Sequence, residues 1–205
     1  SLAPRADGVE TGNKRFRTMH SLETGADQVL APPCIMGILN ATPDSFSDGG
    51  SYADADAAIA RGLQMVAEGA TWLDIGGEST RPGSPPLPLA QELARVLPVL
   101  RHTVTLGVPV SVDTYKPEVM QAALDLGVDI INDVWALRRP GALQVVETHP
   151  RCGVCLMHMH GEPLTMQVNP MSEPPAAMPV AVASFLMART EALLLLGVAG
   201  ERIVL

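Results

Sequence analysis

The chain has 205 residues, 47% of them hydrophobic but only 3% aromatic, and carries a formal net charge of -8 with a pI near 5.0. That length suits one domain able to bury roughly 70% of its unfolded surface, around a core of Leu, Val, Ile, Ala and ten Met. The acidic balance leaves no basic stripe to follow a phosphate backbone, and the few aromatics leave little to stack on bases, which argues against nucleic acid as a partner.

There is no run of 18 or more apolar residues. The first stretch, SLAPRADGVETGNKRFRTMH, lacks an apolar signal-peptide core, so the expectation is a cytoplasmic protein without membrane association. Cys34, Cys152 and Cys155 are an odd set for a disulfide framework. The C-x-x-C at 152–155 enters an apolar strand rather than opening a helix, so all three are expected as buried free thiols.

Residues 1–31 are expected to be a polar, irregular leader ending in a short strand or hairpin, and 32–205 to be the main domain. Strand-length apolar runs fall at 34–39, 71–75, 108–112, 129–131, 153–157 and 202–205. Between the first two, Ile59, Leu63, Val66 and Ala70 share one helix face, with Ser51 or Asp54 as N-cap. A second helix carries Leu89, Leu93, Val96, Leu97 and Leu100, with Pro98 marking a kink or its last turn.

Pro117 opens a third helix that stops at Gly127, and Pro140 opens a fourth. Val182, Leu186, Leu193 and Leu196 line a fifth, which ends at Gly197. Apolar strands alternating with helices predict a parallel α/β sheet. An open doubly wound sheet and a (β/α)8 TIM barrel both fit that rhythm, but polar clusters follow every strand, as they do where barrel loops converge on one site. About six of the eight βα units are visible.

The clusters suggest separate tasks. Gly76, Gly77 and Gly83 let backbone N–H groups approach an anion, and Ser79, Thr80 and Arg81 add hydroxyls and a guanidinium suited to phosphate, although no P-loop is present. Asp113 and Asn132, ending adjacent strands, can bind the edge of a heterocycle. Asn40 offers a neutral oxygen to Mg2+, which takes few protein ligands. His158 and His160 form an H-x-H at a strand end, but no further His and carboxylate set completes a metal site. Taken singly, Asp113-Thr114 also reads as a helix cap and Asn132-Asp133 as a turn.

GILNATPDSFSDGG, LDIGGESTRPG, VSVDTYKPEV, IINDV and CLMHMHGEPLTMQ, in this order from Cys34 onward, closely resemble the dihydropteroate synthase family. The resemblance implies a (β/α)8 barrel that joins 6-hydroxymethyl-7,8-dihydropterin pyrophosphate to p-aminobenzoate with Mg2+ as cofactor. Sulfonamides mimic the second substrate. It further implies Asn40 as the Mg2+ and pyrophosphate contact, Thr80 and Arg81 on the pyrophosphate, Asp113 and Asn132 on the pterin, and Met157 lining the pterin pocket. Phe46 and Pro82 would form the aminobenzoate pocket, and Asp74 would lie beneath the second loop, positioning Arg81 or the loop backbone.

The family's later Asp-Pro-Gly segment, Ser-Arg-Lys loop and Arg-x-His are not in this sequence. The expectation is an incomplete barrel with little or no activity by itself, and a homodimer when full length. Two alternatives remain open: a pterin-binding methyltransferase domain, and a non-catalytic pterin-binding paralogue or fragment.

Overall fold

A computed structural model describes residues 34–41, 52–79, 84–160, 174 and 176–205. The leader at 1–31 and the residues Phe46, Thr80, Arg81 and Pro82 lie outside them. In chain order the elements are β1 Met36–Asn40, α1 Tyr52–Ala67, β2 Trp72–Gly76, α2 Leu89–Thr103, β3 Val110–Asp113 and α3 Pro117–Asp125. There follow β4 Ile130–Asp133, α4 Ala142–Thr148, β5 Gly153–Leu156, α5 Met178–Leu195, a 3-10 turn at Gly200–Arg202 and β6 Ile203–Val204.

Among the described residues the six strands make one sheet in the order β1-β2-β3-β4-β5-β6, and each neighbouring pair is parallel. A doubly wound sheet reverses its strand order at a switch point. This sheet does not, so its strands are ordered as six consecutive units of a barrel.

Alternation along the strands divides the sheet into two faces. Leu39, Leu73, Ile75, Val110, Val112, Ile131, Val154 and Leu156 point at the helices and are buried, in one cluster with Val96, Leu100, Val119, Met120 and Leu193. The intervening residues include Asp74, Ser111, Asp113, Asn132 and Cys155. The strands are therefore not the near-continuous apolar runs that their composition suggested.

Four strand ends extend past the expected apolar runs, to Asn40, Gly76, Asp113 and Asp133. Pairing through the backbone does not depend on side-chain polarity, so the ladder carries these polar residues as strand rather than as loop.

The helices differ from expectation in their buried faces. In α1 Leu63 is 50% exposed, while Ala58 and Gly62 are buried. A Cβ at Gly62 would lie 3.5 Å from Leu39 and 3.6 Å from both Leu73 and Thr103. Small residues four apart thus let the helix sit close to the sheet, with Met65 and Val66 packed against the core beside them and Leu63 turned outward. α2 runs through Pro98 to Thr103, without ending at the proline.

Pro117 does open α3, and Gly127 follows its end at φ +95°. Gly141 caps α4, one residue after Pro140. α5 buries Leu193, with Phe185 and Leu186 packed against the core, but Leu196 beyond its end is exposed. With 18 residues it is long and apolar enough to cross a membrane, by length and composition only. Here its Arg189 donates to the carbonyls of Ala136 at 2.7 Å and Leu137 at 3.0 Å, which fixes the helix to the turn after β4.

Candidate active site

Parallel register aligns the residues expected from sequence. Asn40 pairs with Gly76, Gly76 with Asp113, Asp113 with Asn132, Asn132 with Cys155 and Cys155 with Val204. One row across the C-terminal edge of the sheet therefore carries Asn40, Asp113 and Asn132, although 92 positions separate the first from the last in sequence. A Cβ at Gly76 would lie 3.6 Å from Asp113 Oδ2 and 3.9 Å from Asn40 Oδ1. Glycine at that position leaves the space between the two side chains open.

Asp74 lies two residues deeper on β2. It accepts from Ser111 Oγ through a short hydrogen bond and from Asn132 Nδ2 at 3.1 Å. Trp72 Nε1 donates to the same Ser111 hydroxyl at 2.9 Å. Instead of the second-loop backbone, Asp74's described partners are Ser111 on the adjacent strand β3 and Asn132 on β4 beyond it, while Arg81 lies outside the described residues. The consequence is chemical: with its amide N–H engaged by Asp74, Asn132 has its carboxamide oxygen left to accept from a ligand.

The Oδ1 of Asp113 is buried and has no hydrogen-bond partner among the described residues. Burial pushes this carboxyl up to about 7, and the charges of Asp74, Asp133, Glu92 and Glu78 add to the shift. Asp74 is also raised by burial, against the lowering effect of Ser111 and Asn132. An orphaned buried acceptor costs free energy unless a donor is supplied. A ligand with an N–H edge would supply one.

Next to this row Cys155 is half-buried, and burial followed by the nearby Asp74 and Asp113 charges pushes its thiol up to about 11. Of the three thiols expected to be buried, only Cys152 is fully so and Cys34, ahead of β1 at the start of the described residues, is exposed; nothing in the apolar strand of Cys155 marked it as facing the site. Met157 follows β5 directly, is 42% exposed, and its N–H donates to Asp133 O at 3.4 Å. His158 stacks edge-on against Phe185, ring centroids 5.0 Å apart. Among the described residues no three His, Cys, Asp or Glu side chains converge as a metal site.

A single neutral ligand, Asn40, beside an opening bordered by Asp113 fits a cation such as Mg2+ that draws its other ligands from water and a bound anion. It does not fit a cage made wholly of protein ligands.

A family model described as pterin binding enzyme matches residues 36–205. A dihydropteroate synthase of Neisseria meningitidis serogroup B is 46% identical over 189 residues, covering 91% of this chain and 65% of the relative. The crystal structure of Burkholderia cenocepacia dihydropteroate synthase complexed with 7,8-dihydropteroate matches at a TM-score of 0.72 and 50% identity, over 85% of this chain and 57% of that one. The Yersinia pestis dihydropteroate synthase with a sulfonamide drug complex matches at a TM-score of 0.75 and 40% identity, over 83% and 61%. The chain thus spans less than two thirds of the length of each of these relatives.

Proposed function

Given that the chain belongs to the pterin-binding enzyme family, we propose that it is the larger part of a dihydropteroate synthase. Its substrates are then 6-hydroxymethyl-7,8-dihydropterin pyrophosphate and p-aminobenzoate. The observation that carries the reading is the row of Asn40, Asp113 and Asn132, in which a buried carboxylate oxygen has no partner among the described residues and a carboxamide oxygen is available.

In this reading Asp113 accepts from ring N–H groups of the pterin and Asn132, oriented by Asp74, accepts beside it. Met157 lines the pocket. Thr80 and Arg81 hold the pyrophosphate, and Phe46 and Pro82 enclose the aminobenzoate ring. The C–O bond to pyrophosphate breaks, pyrophosphate leaves with the electron pair, and the aniline nitrogen attacks the exocyclic carbon and loses a proton. The residues work by fixing the reactants and by matching the charge that develops, not by forming a covalent bond.

Mg2+, when bound, would neutralise charge on the leaving pyrophosphate, with Asn40 as its protein ligand. The same reading places the enzyme in the cytoplasm as a homodimer and makes it a sulfonamide target. The substrate and sulfonamide parts of the reading are supported by the relatives complexed with 7,8-dihydropteroate and with a sulfonamide.

The test is pyrophosphate release from the full-length protein given both substrates. Release that requires p-aminobenzoate and is suppressed by a sulfonamide is expected. Pterin binding without release would replace this reading with a non-catalytic one.

A further inference from the structure

The loop after β2 is tied at its neck by contacts that belong to no strand or helix. Glu78 Oε1, near its start, accepts from the backbone N–H of Leu87 at 3.1 Å, so one side chain joins the two ends of the loop. Inside that closure Ser84 Oγ donates to Ser79 Oγ at 3.0 Å. Arg95 Nη1 of α2 donates to Gly77 O at 2.9 Å. A Cβ at Gly77 would meet Val96 at 2.7 Å, so only glycine lets the loop's root lie this close to the helix.

The same Glu78 carboxylate is held from the β3 side. Tyr115 Oη donates to Oε1 at 2.7 Å, and Lys116 Nζ forms a short ion pair with Oε2. Lys116 forms a second short ion pair with Glu92 of α2, which is 1% exposed and accepts from Thr114 Oγ1 at 2.6 Å. Tyr115 in turn stacks on Trp135, ring centroids 5.0 Å apart. Burial opposes charge on Glu78, but Lys116, Tyr115 and the Leu87 N–H hold its carboxyl below the usual range.

Two carboxylates and an ammonium buried together return little net stability, because desolvation offsets their attraction. What they do supply is a fixed geometry. Lys116 lies three residues beyond Asp113, so the cluster joins the segment that carries the row to the loop that follows β2.

We propose that Glu78, Lys116 and Tyr115 are positioning residues that register the second loop against the row at the strand ends, and so set the affinity for the pyrophosphate half of the substrate separately from the pterin half. This rests on the reading of the site given above. None of the three needs to touch substrate.

Titration calorimetry on the full-length protein, with 6-hydroxymethyl-7,8-dihydropterin pyrophosphate and with 6-hydroxymethylpterin, which lacks the pyrophosphate, tests it. Glu78→Gln keeps the shape but loses the ion pair, and is expected to weaken the first ligand about tenfold, in line with the loss of a charge-assisted bond. The second ligand should change by less than about twofold. Tyr115→Phe removes one hydroxyl and keeps the ring on Trp135. It should weaken only the pyrophosphate ligand, by about threefold, and carries the test if Glu78→Gln does not fold.

Equal weakening of both ligands, or of neither, in folded variants overturns the proposal and leaves the reading of the site intact. Failure of the unsubstituted protein to bind either ligand overturns both.

Discussion

On the helix side of the sheet, Leu73, Ile75, Val110, Val112, Ile131 and Val154 are all fully buried aliphatic residues. On the opposite side, at alternate positions of the same strands, stand Asp74, Ser111, Asp113, Asn132 and Cys155. The first face stabilises the fold through area removed from water, about 25 cal/mol per Å². The second spends part of that stability: its buried acids have carboxyls raised above their ordinary range, and one oxygen has no described partner. Position within a strand thus decides whether a residue serves the fold or the site.

The sharpest way to break this division is to change one residue on each face. Asp113→Asn, in the full-length enzyme, should lower kcat/KM by about 10²- to 10³-fold, the usual cost of losing a placed electrostatic partner, without loss of thermal stability. Leu73→Ala should do the reverse. It is expected to destabilise the protein by about 2–5 kcal/mol, measured by urea unfolding, with turnover per folded molecule within about threefold. Similar losses of both properties in both variants would mean that the two faces are not separable.

The raised Asp113 carboxyl sharpens the comparison further. Its folded-state value of about 7 lies above the ordinary 3.8. The neutral form is therefore favoured in the folded protein, and the stability this gives, present in full below 3.8, is lost as pH rises through about 7. Asp113→Asn should consequently stabilise more at pH 8 than at pH 5, as read from Tm. A pterin N–H donor favours the ionised carboxylate, so pterin affinity should rise about tenfold between pH 6 and pH 8 and lose that dependence in the variant. The smallest effect is expected at Cys155. Cys155→Ala removes a neutral side chain beside Asn132 and should change pterin Kd by less than about threefold, since a thiol is a weak hydrogen-bonding group.

Much of this architecture was legible in the sequence, for identifiable reasons. Apolar runs located every strand, because the helix-facing positions must be aliphatic. Asn40, Asp113 and Asn132 stood out because each follows such a run, and the register then placed all three in one row. Helix periodicity counted on large side chains, so it chose Leu63 and passed over Ala58 and Gly62, where close approach to the sheet requires small ones. Glu92 escaped notice because a charged residue in an amphipathic helix is ordinarily assigned to solvent, whereas its partners Lys116 and Thr114 come from a later strand end. Asp74 was seen, but not its contacts, since only the pairing of β2 with β3 and β4's place beyond it bring Ser111 and Asn132 within reach.

The sheet order β1 to β6 repeats the order of the chain. During synthesis each of β2 to β6 therefore emerges next to a template strand that has already left the ribosome. Pairing strands begin between 20 and 50 residues apart, so loop closure adds little from one unit to the next. Assembly can proceed from N to C terminus, one hydrogen-bonded strand at a time, with the row of site residues lengthening as each strand docks.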